Sequence, residues 1–80
     1  MKNVRIRFFE MFRDATGMEN FEHLTSAKTA KDLFTEMAQQ FSGLHVESAA
    51  LVAINDELTS WNEVICEGDE VLFFPPVAGG

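Results

Sequence analysis

The sequence predicts an α+β roll: a mixed sheet with one main helix packed across one face. Three observations carry this. The chain opens on an alternating stretch, "NVRIRFF" at 3–9. Its clearest periodic segment, "KTAKDLFTEMAQQF" at 28–41, has the spacing of one helical face, and its second half returns to apolar, strand-like runs that end on "EVLFF" at 70–74. A lone helix of that length is marginal in water, so its apolar stripe needs a sheet to cover it.

Along "NVRIRFF", Val4, Ile6 and Phe8 point one way while Arg5, Arg7 and Phe9 point the other, as successive side chains of a strand do. "EMFRDATG" (10–17) reads as a short helical turn ended by Gly17, and "ENFEHL" (19–24) as a second, less regular strand. In the main helix Ala30, Leu33, Phe34, Met37, Ala38 and Phe41 recur at the i, i+3, i+4, i+7 spacing. Thr29 suits the N-cap with Asp32 three residues on, and Gly43 follows as a stop signal. "ALVAIN" (50–55) is an apolar strand, "NDE" (55–57) supplies turn chemistry, "EVIC" (63–66) reads as a short strand and "EGD" (67–69) as another turn. "EVLFF" is apolar on both faces, as a central strand should be. Pro75 lacks an N–H and, with Pro76, ends the ladder. The first and last strands carry the strongest apolar runs, so they are expected to be central and parallel. That layout is the β-grasp, or ubiquitin-like, roll, one candidate among small α+β folds. Residues 1–74 are expected to form this domain and 75–80 an extended tail.

Eighty residues are too few for two cores, and a chain of this size buries roughly 60% of its unfolded surface. Hydrophobic content of 46% with 24% charged residues is that of a globular domain rather than a disordered chain. No apolar run approaches the ~20 residues that span a bilayer. The start, "MKNVRIRFFE", sets charges inside its apolar stretch and offers no small-residue cleavage site, so it does not read as a secretory signal. One cysteine, Cys66, excludes an internal disulfide, and the reducing cytoplasm is the expected compartment. Thirteen acids against six bases give a net charge of −7, which disfavours nucleic acid and favours basic protein surfaces, or serves solubility alone.

Catalytic chemistry is hard to find in these residues. Cys66 lacks a second cysteine and a base, and reads as a small buried hydrophobe. His23 and His45 stand apart without ligand spacing and read as surface residues. Glu67, Asp69 and Glu70 flank Gly68 as solvated turn charges, and no glycine-rich phosphate loop precedes a helix. What remains is the ending "FFPPVAGG" at 73–80. Gly79 and Gly80 lack Cβ atoms, so the segment is slim enough to thread a narrow channel and present a terminal carboxylate in another protein's active site. The alternative is a loose glycine tail. Strand parity supports the first reading. With Val71 and Phe73 facing the helix, Leu72 and Phe74 face away beside Phe9, forming an apolar patch that is either a partner surface or covered by a loop.

"GDEVLFFPPVAGG" (68–80), preceded by "LVAINDEL" (51–58), resembles the small subunit of molybdopterin synthase, the MoaD family. The opening strand and amphipathic helix match in placement too, so the similarity covers essentially the whole chain. The resemblance implies a β-grasp fold and a sulfur carrier in molybdenum cofactor biosynthesis. A MoeB-like activating enzyme, using ATP and Mg²⁺, would adenylate the Gly80 carboxylate, and a sulfur donor protein would convert it to a thiocarboxylate. The tail would then enter the large subunit, MoaE-like, and pass sulfur to cyclic pyranopterin monophosphate. Synthases of the family are heterotetramers. The resemblance gives Gly80 the sulfur, Gly79 the slim passage, and Phe9, Leu58, Phe74 and the tail residues Pro75, Pro76, Val77 and Ala78 contacts with partners. It implies no cofactor or metal held by this chain and no catalytic side chain of its own. Two other classes share a terminal diglycine: a ubiquitin-like modifier joined to lysines through Gly80, and a thiamine-pathway sulfur carrier. High-mass covalent adducts would mark the modifier, and a thiazole synthase partner the thiamine carrier.

Overall fold

The computed structural model describes residues 1–9, 11–45 and 51–74. Glu10 and Ala50, expected at the edges of the first helix and the third strand, lie outside the described residues, as does all of 75–80. In chain order the elements are β1 (Lys2–Phe8), α1 (Met11–Thr16), β2 (Asn20–Thr25), α2 (Ala30–Gln40), β3 (Leu51–Ile54), β4 (Glu57–Thr59) and β5 (Glu70–Phe74). The strands form one mixed sheet in the order β2-β1-β5-β3-β4. As expected, β1 and β5 are parallel neighbours inside it, with Ile6 opposite Val71 and Phe8 opposite Phe73.

One side of the sheet is closed by α2. Val4, Ile6 and Phe8 of β1, Val71 and Phe73 of β5 and Val52 of β3 meet Ala30, Leu33, Phe34 and Met37 in the core. The helical stripe is thus buried where its spacing predicted, while Ala38 and Phe41, at its end, are half-buried. Aromatic rings fill the middle: Phe73 stacks on Phe8 at 6.0 Å and on Trp61 at 5.9 Å, and meets Phe34 edge-on at 4.9 Å. Such offset and T-shaped pairs add to the stabilisation from burial alone.

The start of α2 accounts for a segment that the sequence misassigns. Thr29 caps the helix, its side chain accepting from the Asp32 N–H at 3.2 Å. The N–H groups of Ala30 and Lys31, which have no intrahelical partner, donate to the carbonyls of Glu63 and Trp61. Ile65 N–H in turn donates to the Lys28 carbonyl. "EVIC" (63–66) was expected to be a strand. It makes only an isolated bridge, Val64 to Thr29, because its polar backbone groups are spent on the helix start.

The turns follow their residue types. Gly17 and Gly68 take positive φ, 73° and 85°, ending α1 and opening the approach to β5. Asn55 and Asp56 are both left-handed (φ 53° and 70°), the conformation of a two-residue hairpin turn, and the hairpin continues into β4, a strand absent from the sequence reading. Gly43 stops α2 by a different route from a left-handed cap. The helix closes on an extended Phe41, whose N–H donates to Met37, and a Cβ at Gly43 would lie 3.1 Å from the Ala15 carbonyl oxygen. The residue is small because α1 passes against it.

Candidate functional site

The sheet face away from α2 carries its own apolar surface, and strand register builds it. Across this face Arg7 lies beside Leu72, Leu72 beside Ala53, and Ala53 beside Leu58. One step along, Phe74 lies beside Leu51. Phe9 follows directly after β1 and stacks on Phe74 with centroids 4.9 Å apart and ring planes 17° apart. Leu72 and Ala53 are buried as the floor, while Leu58 (67% exposed) and Leu51 (47%) stand proud of it. Phe9 and Phe74 are half-buried. The outward position predicted for Phe9, Leu72 and Phe74 is therefore met, with Leu72 as floor rather than exposed contact. Leu51 is a member that the sequence reading left out, although its alternation with Val52 signals it.

Two arginines on this face behave differently. Arg5 donates to Asn20 Oδ1 at 3.1 Å and Glu22 Oε1 at 3.4 Å, both from neighbouring β2. Arg7 instead lays its guanidinium 5.3 Å from the centre of the Phe9 ring, and its Nε is buried without a hydrogen-bond partner. Alternation along β1 already sets Arg7 beside Phe9, and the structure adds the contact of the guanidinium with the ring.

Of the predicted site residues, Phe9, Leu58 and Phe74 share this face. Pro75, Pro76, Val77, Ala78, Gly79 and Gly80 lie outside the described residues. They continue the chain directly from Phe74, so whatever the tail reaches starts at the aromatic pair.

Titratable groups elsewhere are structural. Asp69 accepts from the Cys66 N–H at 2.7 Å and from Asn55 Nδ2 at 2.9 Å, while Asn55 Oδ1 accepts from the Glu70 N–H at 3.0 Å. These bonds tie the β3–β4 turn to the start of β5, so Asp69 is a clamp rather than a free turn charge. Cys66 was expected to be buried, but it is exposed in the turn that precedes β5. His23 was expected on the surface. It is half-buried, its Nε2 lying 2.7 Å from Glu36 Oε1, an oxygen that also accepts from the Thr25 hydroxyl at 2.8 Å. That cluster joins β2 to α2. His45 is exposed as expected. A groove of about 250 Å³ beside β4 has Ile54, Leu58 and Val64 with the carboxylates of Glu57 and Glu63. Its one hydroxyl, of Thr59, donates to Glu63 Oε1 at 3.2 Å. Among the described residues no group of three or more His, Cys, Asp or Glu could hold a metal ion, and no helix is long and apolar enough to cross a membrane.

One helix across a five-stranded mixed sheet, with parallel central strands and an open apolar far face, defines a ubiquitin-like β-grasp domain. The chain belongs to the ThiS family, which matches residues 6–80. It is 35% identical over 80 residues to the molybdopterin synthase sulfur carrier subunit of Escherichia coli, covering 96% of this chain and 99% of that protein. It is 31% identical to a chain of the solved protein–protein complex of subunits 1 and 2 of the molybdopterin-converting factor from Helicobacter pylori, with a TM-score of 0.63 and coverage of 98% and 99%. Small archaeal modifier protein 1 from Methanosarcina acetivorans superposes with a TM-score of 0.82 at 18% identity, covering 100% of this chain and 98% of that one, a likeness of fold alone.

Proposed function

We propose that this protein is the sulfur carrier subunit of a molybdopterin synthase, with residues 1–74 as a docking domain and 75–80 as a tail that carries the reactive carboxylate of Gly80. The observation that carries the reading is the Phe9–Phe74 pair. It lies on an apolar sheet face at the residue where the tail begins, in a chain that aligns over 96% of its length with a sulfur carrier subunit. Apolar anchors rimmed by polar groups are what partner surfaces are made of.

On this reading an activating enzyme binds the open face and brings ATP and Mg²⁺. The Gly80 carboxylate oxygen attacks the α-phosphorus, pyrophosphate leaves, and the resulting acyl adenylate is a far better electrophile than the carboxylate. The terminal sulfur of a donor persulfide then displaces AMP to give an acyl disulfide, and a thiol reductant cleaves its S–S bond, leaving the thiocarboxylate on Gly80 and a disulfide on the thiol side. The same face next docks on the large synthase subunit, and the slim Gly79–Gly80 end enters its active site to pass sulfur to cyclic pyranopterin monophosphate. Partners supply the catalytic side chains and any cofactor. This chain supplies the docking face and the terminus, in a heterotetramer working in the cytoplasm.

Adding one residue after Gly80 is expected to abolish sulfur transfer while leaving the melting temperature unchanged. Normal synthase activity in that variant would overturn the carrier mechanism. Phe74→Asp is expected to prevent complex formation with the large subunit in size-exclusion chromatography, with the domain still folded.

A further inference from the structure

On an acidic chain, the cation placed beside the aromatic pair is the unusual feature of the open face. Arg5 is paired with the carboxylate of Glu22 and hydrogen-bonded to Asn20. Arg7 has the aromatic ring of Phe9 instead, which fixes the guanidinium but offers no conventional acceptor. Among the described residues neither the buried Nε nor the terminal nitrogens of Arg7 make a hydrogen bond. Arg7 is the cross-strand neighbour of Leu72 and its guanidinium lies over the Phe9 ring, a contact that removes part of its side-chain entropy before any partner arrives. A guanidinium with no acceptor among the described residues, at the edge of an apolar patch, is poorly suited to a wholly apolar partner, which would strip its water without replacing it. It is well suited to a carboxylate, which accepts from the guanidinium fork in two parallel bonds.

We propose that Arg7 sets the charge specificity of the docking face: the large synthase subunit presents an aspartate or glutamate carboxylate to the Arg7 guanidinium when it covers Phe9 and Phe74. This rests on the docking reading above and adds to it the chemistry of the partner surface. The apolar anchors hold the complex, and the Arg7 contact selects a surface that sets a carboxylate beside them. A net charge of −7 makes the choice consequential, because an acidic partner surface is otherwise repelled.

The test is titration calorimetry of the full chain against its large synthase subunit at low and high salt. The wild type, Arg7→Leu, Arg7→Lys and Phe74→Asp are compared, with melting temperatures recorded for each. Arg7→Leu is expected to bind about tenfold more weakly at low salt and to lose part of the salt dependence, with its melting temperature unchanged or raised. Arg7→Lys is expected to fall between, since it keeps the charge and loses the fork. Unchanged affinity and salt dependence in Arg7→Leu, alongside lost binding in Phe74→Asp, would overturn the Arg7 proposal and leave the docking reading standing. A clear drop in the melting temperature of Arg7→Leu would make Arg7 a structural residue and would likewise overturn it. Wild-type binding by Phe74→Asp would remove the docking reading and this proposal together.

Discussion

Phe73 and Phe74 are adjacent in sequence and in the same strand, yet they belong to different surfaces. Phe73 is fully buried under α2, with Phe8, Phe34 and Trp61 around its ring. Phe74 is half-buried on the opposite face with one aromatic neighbour, Phe9, itself adjacent to the buried Phe8. Two such Phe–Phe dipeptides lie in parallel, central positions of the sheet. In each, the first ring builds the core and the second builds the outer face. The strand period of two separates stability from recognition by a single residue step. It also makes the separation testable, since the same substitution on the two sides should have different consequences.

The largest effect is expected from Phe73→Ala. Emptying a fully buried aromatic site costs about 3–5 kcal/mol, a large share of what a small domain has. Urea denaturation would measure it. A loss below about 1.5 kcal/mol would mean that the Trp61 and Phe34 rings collapse into the space, and the contrast with the open face would weaken. Next comes Thr25→Val. Thr25 is fully buried, and its hydroxyl accepts from the Ala27 N–H at 3.0 Å while donating to Glu36. Removing it strands a buried donor, at about 2 kcal/mol. Glu22→Gln breaks the exposed pair with Arg5 on the other face and should change stability by less than about 0.5 kcal/mol. Equal effects from those two would show that polar groups on the open face are more constrained than their exposure implies.

Phe74→Ala falls between those two. It removes one stacked pair and little buried volume, so about 1 kcal/mol is expected, with a far larger loss in partner binding. A stability loss equal to that of Phe73→Ala would assign Phe74 to the core.

Much of this division was legible from alternation. Val4, Ile6 and Phe8 against Arg5, Arg7 and Phe9, and Val71 and Phe73 against Leu72 and Phe74, gave the two faces and the parallel central pair. Other features escaped because they depend on distant residues. β4 spans only Glu57–Thr59, too short to show a period, and exists because the Asn55–Asp56 turn folds it back on β3. "EVIC" looked like a strand locally, but the unpaired N–H groups at the start of α2 compete for its carbonyls. The exposure of Cys66 and the joint contact of His23 and Thr25 with Glu36 follow from where the turns and α2 happen to pass. Arg7 read as an ordinary outward strand residue. Alternation put it on the same side as Phe9, but the guanidinium–ring contact itself depends on the side-chain conformation.

Another small expected effect is a gain, and it probes how the two faces are joined. The Asn55–Asp56 turn places Leu58 on the open face, opposite Ala53. Asn55 cannot be exchanged freely, because its side chain holds Asp69 and the Glu70 N–H. Asp56 is held by no such bond among the described residues, yet its φ of 70° is in the left-handed region that suits glycine. Asn-Gly is the preferred pair for this hairpin turn, so Asp56→Gly should stabilise the domain by about 0.5 kcal/mol, the relief of backbone strain exceeding the extra entropy of the unfolded chain. Thermal denaturation gives the sign, and a loss would mean that the unfolded-chain entropy dominates. Affinity for the large subunit should not change, because Leu58 keeps its register. A change in affinity with the hairpin intact would extend the recognition surface from Leu58 around the corner of the turn, and the boundary between the two faces would then lie at Asn55 rather than at the edge of β4.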